Sequence, residues 1–106
     1  MSEIDACSDS ILQVTGRGVV LRLHPDDTKG SRHQRFVVQL ADGDTVLIVH
    51  NIDLVSRIES LAEGDTVTFC GEYKWNDRGG LVHWTHADPD SEYPDGWLEH
   101  NGQRYE

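Results

Sequence analysis

The stretch 64–86, GDTVTFCGEYKWNDRGGLVHWTH, decides the fold. Gly64-Asp65 is a turn signal leading into 66–75, a run rich in β-branched and aromatic residues. Asn76, Asp77, Arg78 and Gly79 suit a hairpin loop. If Trp75 and Gly80 close that loop, Tyr73 faces Val82, Glu72 faces His83 and Gly71 faces Trp84. One face then carries Val67, Phe69, Tyr73, Trp75, Val82 and Trp84. The other carries Thr68, Cys70, Glu72, Lys74, His83 and Thr85. A one-residue slip would exchange the two faces, so the apolar split supports this register. Trp75 and Trp84 read as core rings, with Trp84 covering the gap that the strand glycine Gly71 leaves.

Working outward, 11–23 reads as a first strand in which Gly16 and Gly18 mark a bulge or bend. A long, bent first strand is what a closed barrel needs if it is to join both sheets. HPDDTKGSR (24–32) is a loop. Strands follow at 33–40 and 45–49, around the hairpin signal Asp42-Gly43. A two-residue turn there pairs Leu40, Val38 and Phe36 with Thr45, Leu47 and Val49 as the core face. The opposite face pairs Gln39 with Val46, Val37 with Ile48 and Arg35 with His50. That face is half apolar, which implies a cover: the tail, a second subunit or a ligand. NIDLVSRIESL (51–61) reads as a short helix capped by Asn51 or Asp53, with Leu54, Val55, Ile58, Leu61 and Ala62 at helical spacing.

The tail, 87–106, is rich in turn signals yet holds Tyr93, Trp97, Leu98 and Tyr105. It is expected to pack on the barrel as an ordered wrap with Trp97 as its main anchor. The fold class is therefore all-β: a five-stranded OB-fold-like Greek-key barrel with one short helix between strands three and four and an ordered C-terminal tail. The expected divisions are a flexible N-terminal tail (1–10), the barrel (11–88) and the packed tail (89–106).

A chain of 106 residues fits one domain with one modest core. Its formal net charge of −10 opposes a phosphate backbone and disfavours nucleic acid as a partner. Of the two cysteines, Cys7 falls in the terminal segment and Cys70 in a strand, so no bridge between them is expected. No run of residues is long and apolar enough for a membrane span or a signal-peptide core. The chain as written reads as cytoplasmic; removal of a leader would make it periplasmic or secreted.

Five blocks carry a family resemblance: PDDTKGSRHQRF (25–36), HNIDL (50–54), GDTVTFCGEYKWN (64–76), GGLVHWTHADP (79–89) and PDGWLEHNGQRY (94–105). Together they resemble a small bacterial family of uncharacterised OB-like domains, over nearly the whole chain after about Gln13. The resemblance implies the barrel fold and an export signal in many members. It implies no activity.

Six histidines are many for this length. None stands in a metal-ligand spacing, and His83 and His86, three apart on a strand, point to opposite faces. His83 opposite Glu72 reads as an exposed cross-strand pair. The barrel arrangement gathers Lys29, Arg32, His33, Arg35, His50 and Asn51 at one end. That set would recognise a carboxylate, phosphate or sugar, or else form a network pinning the loop. A second cluster, His86, Trp97, His100 and Asn101, is either an aromatic platform for a base or sugar or a latch for the tail. No nucleophile stands in an activating motif, Cys70 has no basic neighbour, and no catalytic residue, metal ligand or cofactor is assigned.

The leading expectation is a non-enzymatic binding module for a small ligand or a protein surface. A metal-dependent hydrolase or nuclease using the histidines with Asp26 or Asp27, and a single-stranded nucleic-acid binder, are the alternatives. Assembly into a homo-oligomer stays open.

Overall fold

The computed structural model describes residues 4–6, 13–75, 77, 79–87 and 95–106. The strands are β1 (Ile4–Ala6), β2 (Gln13–Leu23), β3 (His33–Leu40), β4 (Thr45–Asn51), β5 (Thr66–Lys74), β6 (Leu81–His83), β7 (Trp97–His100) and β8 (Gln103–Tyr105). Pairing runs β2-β3-β4-β6-β5 and returns to β2, which closes a five-strand barrel; β1 and the β7–β8 hairpin extend the sheet beyond it. All pairs are antiparallel except β4–β6. Among the described residues there is no helix, and so none long and apolar enough to cross a membrane.

β2 is the long first strand that closure requires. It pairs with β5 from Gln13 to Val19 and with β3 from Gly18 to Leu23. The two glycines serve close approach. A Cβ on Gly16 would lie 2.6 Å from the Phe69 ring, and one on Gly18 would collide with the Gln39 carbonyl. The bulge falls later, between Val20 and Arg22. It bends the strand away from β5 and onto β3.

The β5–β6 hairpin keeps the expected register, with Tyr73 opposite Val82 and Glu72 opposite His83. Two details differ. β6 ends at His83 because Trp84 turns to φ 59°, a left-handed conformation uncommon outside glycine, so Trp84 never faces Gly71. Trp75 stands at the strand's exit, 79% exposed, and is not a core ring.

The β3–β4 hairpin differs by one residue, and that moves an entire face. The Gly43 N–H donates to the Leu40 carbonyl at 2.9 Å, the Leu40 N–H donates to Asp44 at 2.8 Å, and Gly43 takes φ 90°. This is a three-residue loop, Ala41 to Gly43, with the left-handed glycine that such loops favour. The odd loop pairs Phe36 with Ile48, Val38 with Val46 and Gln34 with His50, and sets Arg35 against Val49. Val46, Ile48 and His50 are therefore buried, while Leu47 and Val49 take the outer face. The expected outer pairing of Val37 with Ile48 and Arg35 with His50 does not form.

The expected helix over 51–61 is also absent. The Asn51 carbonyl accepts weak bonds from Leu54 and Val55 (3.4 and 3.3 Å), and the Asn51 side chain accepts the Asp53 N–H. The winding stops there because the next backbone groups are spent elsewhere. The Gln34 amide donates to the Ile58 carbonyl and accepts the Ile58 N–H (3.0 and 2.9 Å), and the Ser56 carbonyl accepts from His50. The segment instead lays Ile58 and Leu61 into the core as an extended plug, leaving Leu54 outside.

At the N-terminus, Ile4–Ala6 joins β2 as β1, within the segment expected as a loose tail. Cys70 is disulfide-bonded. The chain's only other cysteine is Cys7, which lies outside the described residues. The expectation that Cys7 and Cys70 stay unbridged falls on Cys7 and so lies outside the described residues.

The tail is more regular than its turn signals suggested. β7 takes over the edge of β5 where β6 leaves it, pairing Phe69 with Leu98 and Val67 with His100. Asn101 and Gly102, both at positive φ, make the two-residue turn into β8. Strand alternation sends Leu98 and His100 inward and Trp97 and Glu99 outward. Leu98, fully buried, is thus the anchor in place of Trp97, with Tyr105 packed beside it; Tyr93 lies outside the described residues. Leu98→Ala is expected to cost about 2–5 kcal/mol. Trp97→Ala is expected to cost only about 1 kcal/mol, chiefly the lost stacking of Arg104 on its ring. Urea denaturation of the two variants measures the order; a larger loss at Trp97 would mean the tail docks the other way round.

Candidate functional site

Of the residues expected to gather at one end of the barrel, Lys29, Arg32, His33, Arg35 and Asn51 lie around loop 24–32 and the start of the segment after β4, bonded chiefly within them, and His50 does not join them. In the loop after β2, Asp27 and His33 exchange backbone hydrogen bonds at 2.9 Å, and the Asp27 carboxylate accepts the Lys29 N–H. The Arg32 Nε donates to Asp53 Oδ1 at 2.7 Å, and its own N–H donates to Asp53 Oδ2. Those bonds hold the Asp53 carboxyl below the usual carboxylate range. Arg35 donates through Nε and Nη2 to the Pro25 carbonyl, and Arg57 donates to Asp26 at 2.9 Å. His33 Nδ1 donates to the Ser31 carbonyl at 2.9 Å. Arginines 32, 35 and 57 are thus engaged in holding loop 24–32 and segment 52–59 together. Within this group of basic residues, Lys29 projects its charge without such a partner among the described residues.

His50 is separated from this group by the register of β3 and β4. It is fully buried, with Nδ1 2.7 Å from Thr85 Oγ1 and Nε2 3.2 Å from the Ser56 carbonyl. A carbonyl can only accept, so Nε2 carries the proton and Nδ1 accepts the Thr85 hydroxyl. Burial pushes its pKa down to about 4 against the Ser56 bond, which raises it, and the nearby His86 and His33 add smaller lowering effects. The ring is neutral and structural: it ties β4 to the segment after it and to the chain leaving β6.

His86, expected beside Trp97, instead lies near His50. It is buried, donates from Nδ1 to the Ala87 carbonyl at 2.8 Å, and packs at 4.8 Å against the Trp84 ring. Its own carbonyl accepts the Gly96 N–H, which brings the chain entering β7 against the chain leaving β6. His100 belongs to a third place. Its Nε2 donates to Asp65 Oδ2 at 2.7 Å, and Asp65 also accepts the Ala62 N–H; both bonds lower the Asp65 carboxyl's pKa. Trp97 faces outward beneath Arg104, 4.0 Å from ring centre to guanidinium, and Asn101 is an exposed turn residue. The second expected cluster therefore divides: His86 lies near His50, His100 bonds Asp65, Trp97 packs under Arg104 and Asn101 forms the turn between β7 and β8.

What the internal bonds leave open is the outer face of β3, β4 and β6. Across it runs the row Arg22, Val37, Leu47, Leu81, Lys74, each paired with the next. Val49 lies in the adjoining row, opposite Arg35. The four apolar side chains are half-buried, and Arg22 and Lys74 stand exposed at the two ends. Sequence reading missed this face because the hairpin loop was counted one residue wrong. The signal was present: Gly43 at the loop's last position is the mark of the three-residue form. Gln34 and Thr85, which carry the buried network, had no signal beyond polarity in an apolar run.

Among the described residues, no three His, Cys, Asp or Glu side chains stand together as metal ligands. The His83 Nε2 reaches Glu72 at 3.3 Å as the expected cross-strand pair, half-buried rather than exposed.

The family model described as Protein of unknown function (DUF3465) matches residues 3–106. The chain belongs to that family. No curated protein matches it. For this DUF3465 chain the geometry thus separates two kinds of polar residue: a buried set that closes the barrel, and a surface set around the β3–β4–β6 face.

The buried set makes stability depend on pH. His50 binds its proton near pH 6.5 in the unfolded chain and only near 4 in the folded one. Its contribution is whole above about pH 6.5 and is lost as the pH falls toward 4, a loss of about 3 kcal/mol at most. His50→Gln should flatten that part of the profile. Urea unfolding between pH 7 and 4 compares the two proteins, and parallel profiles would show that His50 does not titrate against folding.

Proposed function

We propose that this DUF3465 chain is a non-enzymatic binding module of the OB type that takes a small ligand or a protein surface on the outer face of β3, β4 and β6. The closed order β2-β3-β4-β6-β5 supports the OB assignment. In that fold the second and third strands, with the loops joining strands one to two and four to five, carry ligands; here these are β3 and β4 with residues 24–32 and 75–80. The observation that carries the reading is the apolar row Val37, Leu47 and Leu81 with a cation at each end. In a chain of net charge −10, placing Arg22 and Lys74 there gives this face a local sign opposite to the whole and suits it to carboxylate-bearing partners.

Amide chemical-shift mapping against metabolite, glycan, peptide and oligonucleotide panels tests the site. Shifts at Val37, Leu47, Val49 and Leu81 that Leu47→Asp abolishes are expected. Shifts confined to β7 and β8 would place binding elsewhere. Saturable oligonucleotide binding at physiological salt would replace the reading with the nucleic-acid one.

The oxidised Cys70 supports an oxidising compartment outside the cytoplasm as the protein's home, because such bonds rarely persist where thiols are kept reduced. Alkylating thiols in intact cells before lysis should leave both cysteines unlabelled. A labelled Cys70 would return the protein to the cytoplasm.

A further inference from the structure

Trp75 is the most exposed large apolar side chain among the described residues, at 79%, and the barrel gives it no structural task. It stands on a cleft of about 460 Å³ between the tips of the β3–β4 and β5–β6 hairpins, shared with Gly43, Asp44, Thr45, Tyr73, Asp77 and Gly79. The cleft is built rather than incidental. Gly79, at φ 105°, lies so close to the Thr45 carbonyl that any Cβ would collide with it, and Gly80 lies equally close to the Tyr73 ring. The Tyr73 hydroxyl donates to the Gly79 carbonyl at 3.3 Å, which sets the ring in place. The glycines therefore draw the loop down onto Thr45 and Tyr73 and leave Trp75 standing beside the hollow.

The chemistry of the lining selects its ligand. Two aromatic rings offer π faces, and Asp44 and Asp77 offer negative charge with no hydrogen-bond donor of their own at neutral pH. No described residue of the lining is basic; Asn76 and Arg78, in the same loop, lie outside the described residues. An anion would meet two carboxylates and a chain of net charge −10. A neutral sugar needs donors as well as acceptors, and the side chains supply few. An organic cation satisfies both features at once, stacking its charge on the rings and pairing it with the carboxylates. The geometry points to a binding site for an alkylammonium or guanidinium group in this cleft, separate from the β3–β4–β6 face. A free polyamine and a lysine or arginine of a basic peptide both present that group.

Titration followed by the Trp75 indole N–H signal tests it, with spermidine, a short Lys/Arg peptide, an Asp/Glu peptide of equal length and a neutral sugar as probes. Saturable shifts with the cationic probes alone are expected. With binding followed by the Thr45 and Gly79 backbone amide signals, Trp75→Ala and the Asp44→Asn/Asp77→Asn double variant should each weaken it about tenfold, whereas Leu47→Asp, on the other face, should leave it unchanged. Trp75 is exposed, so its replacement should not shift the melting temperature. Tighter binding of the basic peptide than of spermidine identifies a polypeptide source, and equal binding identifies the free cation. Unmoved indole signals with both cationic probes at millimolar concentration, or equal shifts with the acidic peptide or the sugar, would overturn the site whatever the outcome at Leu47.

Discussion

Closing a small barrel requires one strand to hydrogen-bond neighbours on both sides while bending from one to the other, and here that strand is β2. Its first half lies along β5, its second half along β3, and the bulge between Val20 and Arg22 makes the change of direction. The close contacts at Gly16 and Gly18 admit the Phe69 ring and the β3 backbone where any side chain would hold them off. Once β2 is shared, the parallel pairing of β4 with β6 completes the circuit. The interior is then one cluster running from Val20 through Phe36, Ile48 and Phe69 to Leu98. Everything else about the molecule follows from how the two ends of that closed tube are finished.

One end is finished with polar groups inside the protein. Gln34 and His50, cross-strand partners on β3 and β4, turn their side chains toward the segment that follows β4 and bond its backbone at Ile58 and Ser56. Unpaired buried amides and rings are costly, and fully paired ones define a unique arrangement. The result is a plug without a helix, strapped outside by Arg32–Asp53 and Arg57–Asp26. The other end carries the hairpin tips, where glycines press the loop of β5–β6 against Thr45 and leave an aromatic side chain in solvent. The polar investment at the first end stabilises the fold. The exposed ring at the second end does not, and that contrast directs attention to the surface between β3, β6 and the tips.

The buried histidines show why histidine content is a poor guide to chemistry. His50, His86 and His100 sit in the interior, each with a hydrogen-bond partner that explains it. In a narrow barrel a ring with two polar atoms can join three chain segments that no aliphatic residue could join.

By itself the sequence determined the all-β class, the β5–β6 register and the long bent first strand. Each rests on local rules: alternation along a strand, turn residues at hairpins, and a long β-branched run interrupted by glycines. It also carried the family likeness, because long blocks of residues are read directly. Only the tertiary structure decided which face of β4 is buried, since a one-residue change in loop length exchanges its two faces while leaving its composition unchanged. Likewise it alone decided that 51–61 is a plug, because Gln34 and His50, distant in the chain, compete for the backbone bonds a helix would have used. It also decided that Leu98 rather than Trp97 anchors the tail and that Trp75 stands in solvent. Both depend on which stretch of the one β5 edge each neighbour occupies, a relation between segments that no local pattern encodes.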